Sequence, residues 1–162
     1  MDTSFERDRK GKDEWLTPPF ILRALGEFDL DPCAPINRKW EMAKKHYTVL
    51  DNGLMKTWSG RVWCNPPYGT ETARWMRKLA EHGNGIGLTF ARTETKMFFD
   101  TIWNKADAIF FLKGRLRFFH VDGREGGTAG SPSCLIAYGE NNVRALEDCK
   151  LSGKLVRLKM ST

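Results

Sequence analysis

The sequence has no cysteine pair in a CxxC spacing; Cys33, Cys64, Cys134 and Cys149 stand far apart. That argues against both a zinc clasp and a disulfide framework, and a reducing cytoplasm is the expected setting. The three histidines, His46, His82 and His120, share no ligand spacing, so no metal is expected. No apolar run reaches the length of a membrane span, and the polar N-terminus has no signal-peptide core. There is no internal repeat and no low-complexity tract.

What is present bounds the class. The chain has 162 residues, 41% hydrophobic and 28% charged, which suits one globular domain with a real core. Residues 1–14 are charged and poor in apolar side chains, so they read as a loose arm before a single domain at 15–162. The net charge of +6 favours a polyanionic partner, although a merely soluble basic surface fits as well. Lys113, Arg115, Arg117 and Arg124 cluster, and Lys150, Lys154, Arg157 and Lys159 form a basic tail.

Apolar periodicity places the elements. "TPPFILRAL" predicts a helix with Thr17 as N-cap and prolines in its first turn, stopped by Gly26. "FDLDPCA" predicts a short strand, and "NRKWEMAKKHY" a short charged helix or a loop. "RVWCN" predicts a buried strand, "ETARWMRKLAEHG" an amphipathic helix and "GIGLTFA" a strand. "TETKMFFDTIWNKA" predicts a helix with Thr95 as a candidate cap. "DAIFFLKGRLRFF" predicts strands joined near Lys113–Gly114, "PSCLIAYG" a strand and "NNVRALEDCKL" a last helix. The Gly-rich stretch "HVDGREGGTAGSP" reads as a mobile loop, and "GNGIG" as a helix stop. The alternation predicts a three-layer α/β domain with a mostly parallel sheet and an antiparallel edge hairpin. Ligands of such sheets bind at the carboxyl ends of strands, where both "DPCA" and "NPPY" fall.

"NPPY" at residues 65–68 carries the most chemistry. Pro66 and Pro67 fix φ at successive positions and hold the preceding residues extended. The Asn65 side-chain oxygen and the Pro66 carbonyl can then accept both hydrogens of one amino group, and Tyr68 offers a face for stacking. The lone pair of an exocyclic adenine amine is delocalised into the ring. Two acceptors gripping its N–H bonds would favour a tetrahedral nitrogen and stabilise the charge that develops on attack. The tetrapeptide is also compatible with a proline-rich turn. Likewise Asp31–Pro32 and Asp51–Asn52–Gly53 are also ordinary turn sequences.

"DEWLTPPFILRAL", "FDLDPCA", "DNGLMKTWSGRVWCNPPYG", "KGRLRFF" and "GSPSCLIAYG", in that order, resemble the small phage-type DNA N6-adenine methyltransferases from about Trp15 to Gly139. The resemblance implies a Rossmann-like methyltransferase fold that uses S-adenosylmethionine. It makes Asn65, Pro66, Pro67 and Tyr68 the catalytic loop. It assigns Trp15, Thr17 and Pro18 to the methionine end of the cofactor, and Asp31, Pro32, Cys33 and Ala34 to the pocket lining. It places Asp51 near the cofactor adenine, with Asn65 also at the cofactor. One departure is that "DPCAPIN" lacks the glycines many such enzymes carry after the first strand.

A duplex base must be flipped to reach such a pocket. Arg92, Lys96, Lys113, Arg115, Arg117 and Ser131 are the candidates for holding DNA, with a solvated charged face as the alternative. Arg115 and Phe118 of "GRLRF" match a family motif, for which strand packing near the target pocket is one reading. The length leaves no room for a separate target-recognition domain, so readout would fall to loops such as 114–132 or to the partner in a homodimer. Glutamine-amide methylation of a protein, RNA adenine or cytosine N4 as substrate, and a non-catalytic nucleic-acid binder on the same scaffold remain open alternatives. The expected setting is the cytoplasm of a bacterial host, with a phage or prophage gene.

Overall fold

Two apolar cores, one on each face of a single sheet, organise the chain. A computed structural model describes residues 15–159; the arm expected at 1–14 lies outside the described residues. The order of elements is α1 (Pro19–Leu25), β1 (Leu30–Asp31), β2 (Lys45–His46), β3 (Val62–Cys64), α2 (Thr72–His82), β4 (Gly85–Phe90) and α3 (Lys96–Phe98), which runs on as a π-helical turn to Trp103. Then come β5 (Ala108–Leu112), β6 (Arg117–Phe119), β7 (Glu125–Thr128), β8 (Ser133–Tyr138), α4 (Glu140–Asp148) and β9 (Gly153–Arg157).

Strand side chains alternate between the two faces. Trp63, Ile86, Leu88 and Leu135 pack with Ile21 and Leu25 of α1 and Val143 and Leu146 of α4. Val62, Cys64, Ile136 and Tyr138 pack on the opposite side with Met76 and Leu79 of α2, together with Phe98 and Ile102. Each such side chain contributes about 1.5–3 kcal/mol when fully buried, so both faces stabilise the sheet.

The sheet has seven strands in the order β2-β1-β3-β4-β8-β5-β9. The pairings from β2 through β1 and β3 to β4 are parallel. β8 inserts between β4 and β5, antiparallel to both, and β9 adds antiparallel to β5. Strands β1 to β5 therefore all run one way, and β8 and β9 run the other. The antiparallel hairpin, β6 with β7, forms a separate small sheet beside the large one.

Several local expectations need correction. The Thr17 side chain does not cap α1; Pro18 is the N-cap and makes no side-chain bond there. The expected Thr95 cap does form, with its side chain accepting from the Phe98 amide. "NRKWEMAKKHY" contains no helix; it is irregular chain leading into β2. β5 and β6 do not pair across Lys113–Gly114, because β5 is already flanked by β8 and β9. The Gly-rich stretch forms β7 and closes the hairpin. The basic tail forms β9, where Arg157 is tied to Glu140 and Glu147 of α4.

Candidate active site

Parallel strands deliver their carboxyl ends to one rim. β1 ends in Asp31 and leads into Pro32–Ala34; its neighbour β3 ends in Cys64 and leads into Asn65–Tyr68. β4 leads to Arg92 and Lys96, and β5 to Lys113. The antiparallel β8 enters the same rim through Ser131.

The Asn65 side chain is anchored on one side. Its Nδ2 donates to Thr17 Oγ1 at 3.3 Å, and the Trp63 indole Nε1 donates to the same oxygen at 3.1 Å. With the amide nitrogen engaged, Asn65 Oδ1 is the group left to accept from an incoming amine. The Thr72 hydroxyl donates to the Pro67 carbonyl at 2.6 Å, tying the loop to the first turn of α2. Tyr68 lies flat on Phe90, with centroids 4.0 Å apart and parallel planes, and meets Phe118 edge-on at 6.2 Å. One Tyr68 face is thus covered by Phe90. Beside it opens a cavity of about 380 Å³ lined by Tyr68, Gly69, Thr72, Phe90, Arg92 and Met97, among others.

The loop after β1 is packed against this one. Cys33 Sγ lies 3.4 Å from the Asn65 carbonyl, to which it donates, and 3.8 Å from Cys64 Sγ. The contact with Cys64, then burial, holds the Cys33 thiol well above its usual pKa, so it stays protonated. Asp31 is 3% exposed, and its Oδ1 accepts from the Cys33 amide at 3.1 Å. Burial pushes its carboxyl up to about 7, against the opposing pull of that amide and of Arg38. His46 acts structurally beneath this loop. Its Nε2 accepts from the Met42 and Ala43 amides, and Nδ1 faces Glu41 at 3.1 Å. Burial, then Arg38, lowers its pKa, which keeps the acceptor nitrogen free of a proton.

A glycine at another turn packs against the loop after β1. A Cβ on Gly53 would stand 2.0 Å from the Pro32 carbonyl oxygen, so only glycine allows the 51–54 turn to seat against the loop after β1. Asp51 is brought to the same corner. It is exposed, and its Oδ2 accepts from the Thr48 amide at 2.8 Å, within its own turn. Trp15 packs on the hairpin, 4.8 Å from the His120 ring. Pro18 is buried, and its carbonyl accepts from the Ile21 amide at 3.1 Å. Ala34 is pinned by its amide to the Tyr47 carbonyl at 2.9 Å.

The basic candidates form a looser set. Arg92 donates to Ser131 Oγ at 3.1 Å, joining the exits of β4 and the entry of β8. Lys96 pairs with Asp100 on its own helical turn. Arg115 reaches the Ala129 carbonyl at 3.4 Å, and Arg117 faces Glu125 across the hairpin at 3.5 Å. Lys113 is exposed and lies beyond β8, away from Asn65. Residues that sequence reasoning did not connect are Phe90 with Tyr68, Thr17 with Asn65, and Gly53 with Pro32. "GSPSC" and "GLTF" became neighbours only through the antiparallel insertion of β8.

This mixed α/β sheet, with a rigid acceptor-bearing loop at its strand ends, is compatible with a methyltransferase fold. The family model described as DNA N-6-adenine-methyltransferase (Dam) matches residues 5–146, and the chain belongs to that family. Membership implies methylation of adenine in DNA. No curated protein and no solved structure matches the chain. Among the described residues, no helix is long and apolar enough to cross a membrane.

Proposed function

We propose that this chain transfers a methyl group from S-adenosylmethionine to the N6 amine of a flipped adenine in DNA, using Asn65–Tyr68 as the catalytic loop. The observation that carries the reading is the anchored Asn65 amide, its nitrogen held by Thr17 at the head of the loop that runs on to Tyr68. Asn65 Oδ1 and the Pro66 carbonyl accept the two N–H bonds of the amine and stabilise the positive charge that develops on nitrogen. The rigid Pro66–Pro67 pair keeps both acceptors aligned. The proton leaves after the new bond has formed, so no strong base is required at the outset.

The corner formed by Asp31–Ala34 suits the cofactor. Asp31 is a buried carboxyl to which no cationic side chain among the described residues is bonded, and an ammonium or hydroxyl donor from a ligand would offset the cost of its burial. Asp31, Pro32, Cys33 and Ala34 would line the cofactor site, with Trp15, Pro18, Asp51 and Asn65 around it. S-adenosylmethionine supplies an electrophilic methyl group when bound there. The two covered faces and the strand order support a three-layer Rossmann-like arrangement. Arg92, Lys96, Lys113, Arg115, Arg117 and Ser131 would meet the DNA backbone.

The test is incubation with methyl-labelled cofactor and DNA, followed by digestion to nucleosides. The expected product is N6-methyladenine, lost in Asn65→Ala. Label entering only protein, or only cytosine or RNA, would overturn the reading.

A further inference from the structure

We propose that Thr17 is a positioning residue that holds the Asn65 side chain in place, and is not a ligand for the cofactor's carboxylate. This rests on the adenine-methylation reading above. Thr17 is 2% exposed, so its hydroxyl is closed to a ligand. That hydroxyl receives the Trp63 indole at 3.1 Å and the Asn65 amide nitrogen at 3.3 Å. An oxygen of this kind has two lone pairs, and the two donors use both. The indole can only donate, so it always takes one lone pair of this oxygen, and burial keeps the O–H of Thr17 from a ligand.

The hydroxyl is itself fixed. Trp63 is wholly buried and packs against Phe28 with centroids 5.4 Å apart. The Trp40 indole donates to the Thr17 carbonyl at 3.0 Å. Leu16 exchanges backbone bonds with Phe119 at 2.8 and 3.2 Å, which ties this segment to the hairpin. A β-branched side chain on such a backbone has little χ1 freedom. The hydroxyl therefore stands as a rigid post behind the catalytic loop.

The consequence falls on Asn65. With Nδ2 against the post, Oδ1 faces the other way, as an acceptor. Prolines fix the backbone of the loop but leave the Asn65 side chain free to swing. Thr17, which lies in a different segment of the chain, supplies the missing restraint. The α1 N-terminus is a poor carboxylate site in any case: Pro19 has no N–H, and the Ile21 amide is bonded to the Pro18 carbonyl.

The test separates turnover from cofactor affinity. Thr17→Val keeps the shape of the side chain and removes the acceptor. At saturating S-adenosylmethionine and DNA its kcat should fall by about 10–100-fold, as expected when a reacting group is misplaced. Its Kd for the cofactor, measured by titration without DNA, should stay within about twofold of wild type on this argument, since the hydroxyl is sealed off. Thr17→Ser should recover most of the loss. A Thr17→Val protein with wild-type kcat, or one whose defect disappears as cofactor is raised, overturns the proposal. Should Thr17→Val fail to fold, Trp63→Phe decides. It removes one donor to the post and should lower kcat several-fold without weakening cofactor binding; wild-type kcat in that variant overturns the proposal. A wild-type protein that methylates no DNA adenine in the same assay instead sinks the underlying reading.

Discussion

The two flanks of Asn65 are built differently. Toward β1 the groups are buried and bonded in fixed pairs: Thr17 with Asn65 and Trp63, Cys33 with the Asn65 carbonyl, Asp31 with the Cys33 amide. Toward β4 and the hairpin the groups are exposed and paired loosely, as in Arg117 with Glu125 at 3.5 Å and Arg92 with Ser131 at 3.1 Å. Breaking a buried polar contact leaves its partner unsatisfied, which costs about 1–3 kcal/mol. An exposed ion pair is worth about 0–1 kcal/mol and can be exchanged for a phosphate at little cost. The contrast suits a site whose chemistry is assembled in advance and whose grip on a long polyanion is made and released repeatedly.

The sharpest way to break the contrast is at Asn65 itself. Asn65→Ala should lower N6-methyladenine formation by about 100–1000-fold, the scale for losing one preorganised hydrogen-bonding group. Product measured after nucleoside digestion at near wild-type yield would remove this residue from the chemistry.

Next comes Asp31. Asp31→Asn should weaken S-adenosylmethionine binding about ten- to hundredfold, the range for a hydrogen bond to a charged group. Its folded pKa of about 7 lies above the ordinary aspartate value of 3.8, so between these values the folded chain holds the extra proton. This carboxyl therefore contributes stability in acid that is lost as pH rises toward 7. The Tm of the cofactor-free protein should fall across that window, and Asp31→Asn should flatten the slope. An unchanged slope in the variant would show that the burial cost lies elsewhere.

Tyr68→Ala should cost about 1–3 kcal/mol in kcat/KM for DNA, the scale of one base–aromatic contact. Since Phe90 covers one face of the ring, Phe90→Ala should impair the same parameter by letting Tyr68 tilt. Wild-type kcat/KM in both variants would deny the stacking role. The smallest effect belongs to the exposed flank. Arg115→Ala should weaken DNA binding uniformly across sequences and lower the salt slope by about 1. A change in sequence preference instead would turn a positioning contact into a reading one.

Legibility in the sequence followed the same division. Val62–Cys64, Gly85–Phe90 and Ser133–Tyr138 are buried along their whole length, so their apolar runs are evident on inspection. α2 carries its stop signal in Gly83, which adopts φ 77°. β9 is mostly exposed and charged, as an edge strand tends to be, and so its composition reads as a tail. β7 contains Gly126 and Gly127, which disfavour a strand locally; the pairing with β6 carries it. The tetrapeptide Asn65–Tyr68 stands out because the chemistry proposed for it is local. Its restraint does not, because Thr17 and Asn65 meet only after the sheet has formed. Gly53 reads as an ordinary turn residue until Pro32 is placed against it.

The insertion of β8 between β4 and β5 sets an order of events during synthesis. When β5 leaves the ribosome, both of its sheet partners, β8 and β9, are still to come. Until residues 133–138 are made, β4 presents an unpaired, fully buried-type edge, the kind of surface that invites wrong pairing. Completion of the large sheet therefore waits on residues 133–157, the last of its strands to be made. The exits of β4 and the entry of β8, where Arg92 meets Ser131, come together only then. A nascent chain thus carries residues 65–68 well before it acquires the full rim of the sheet.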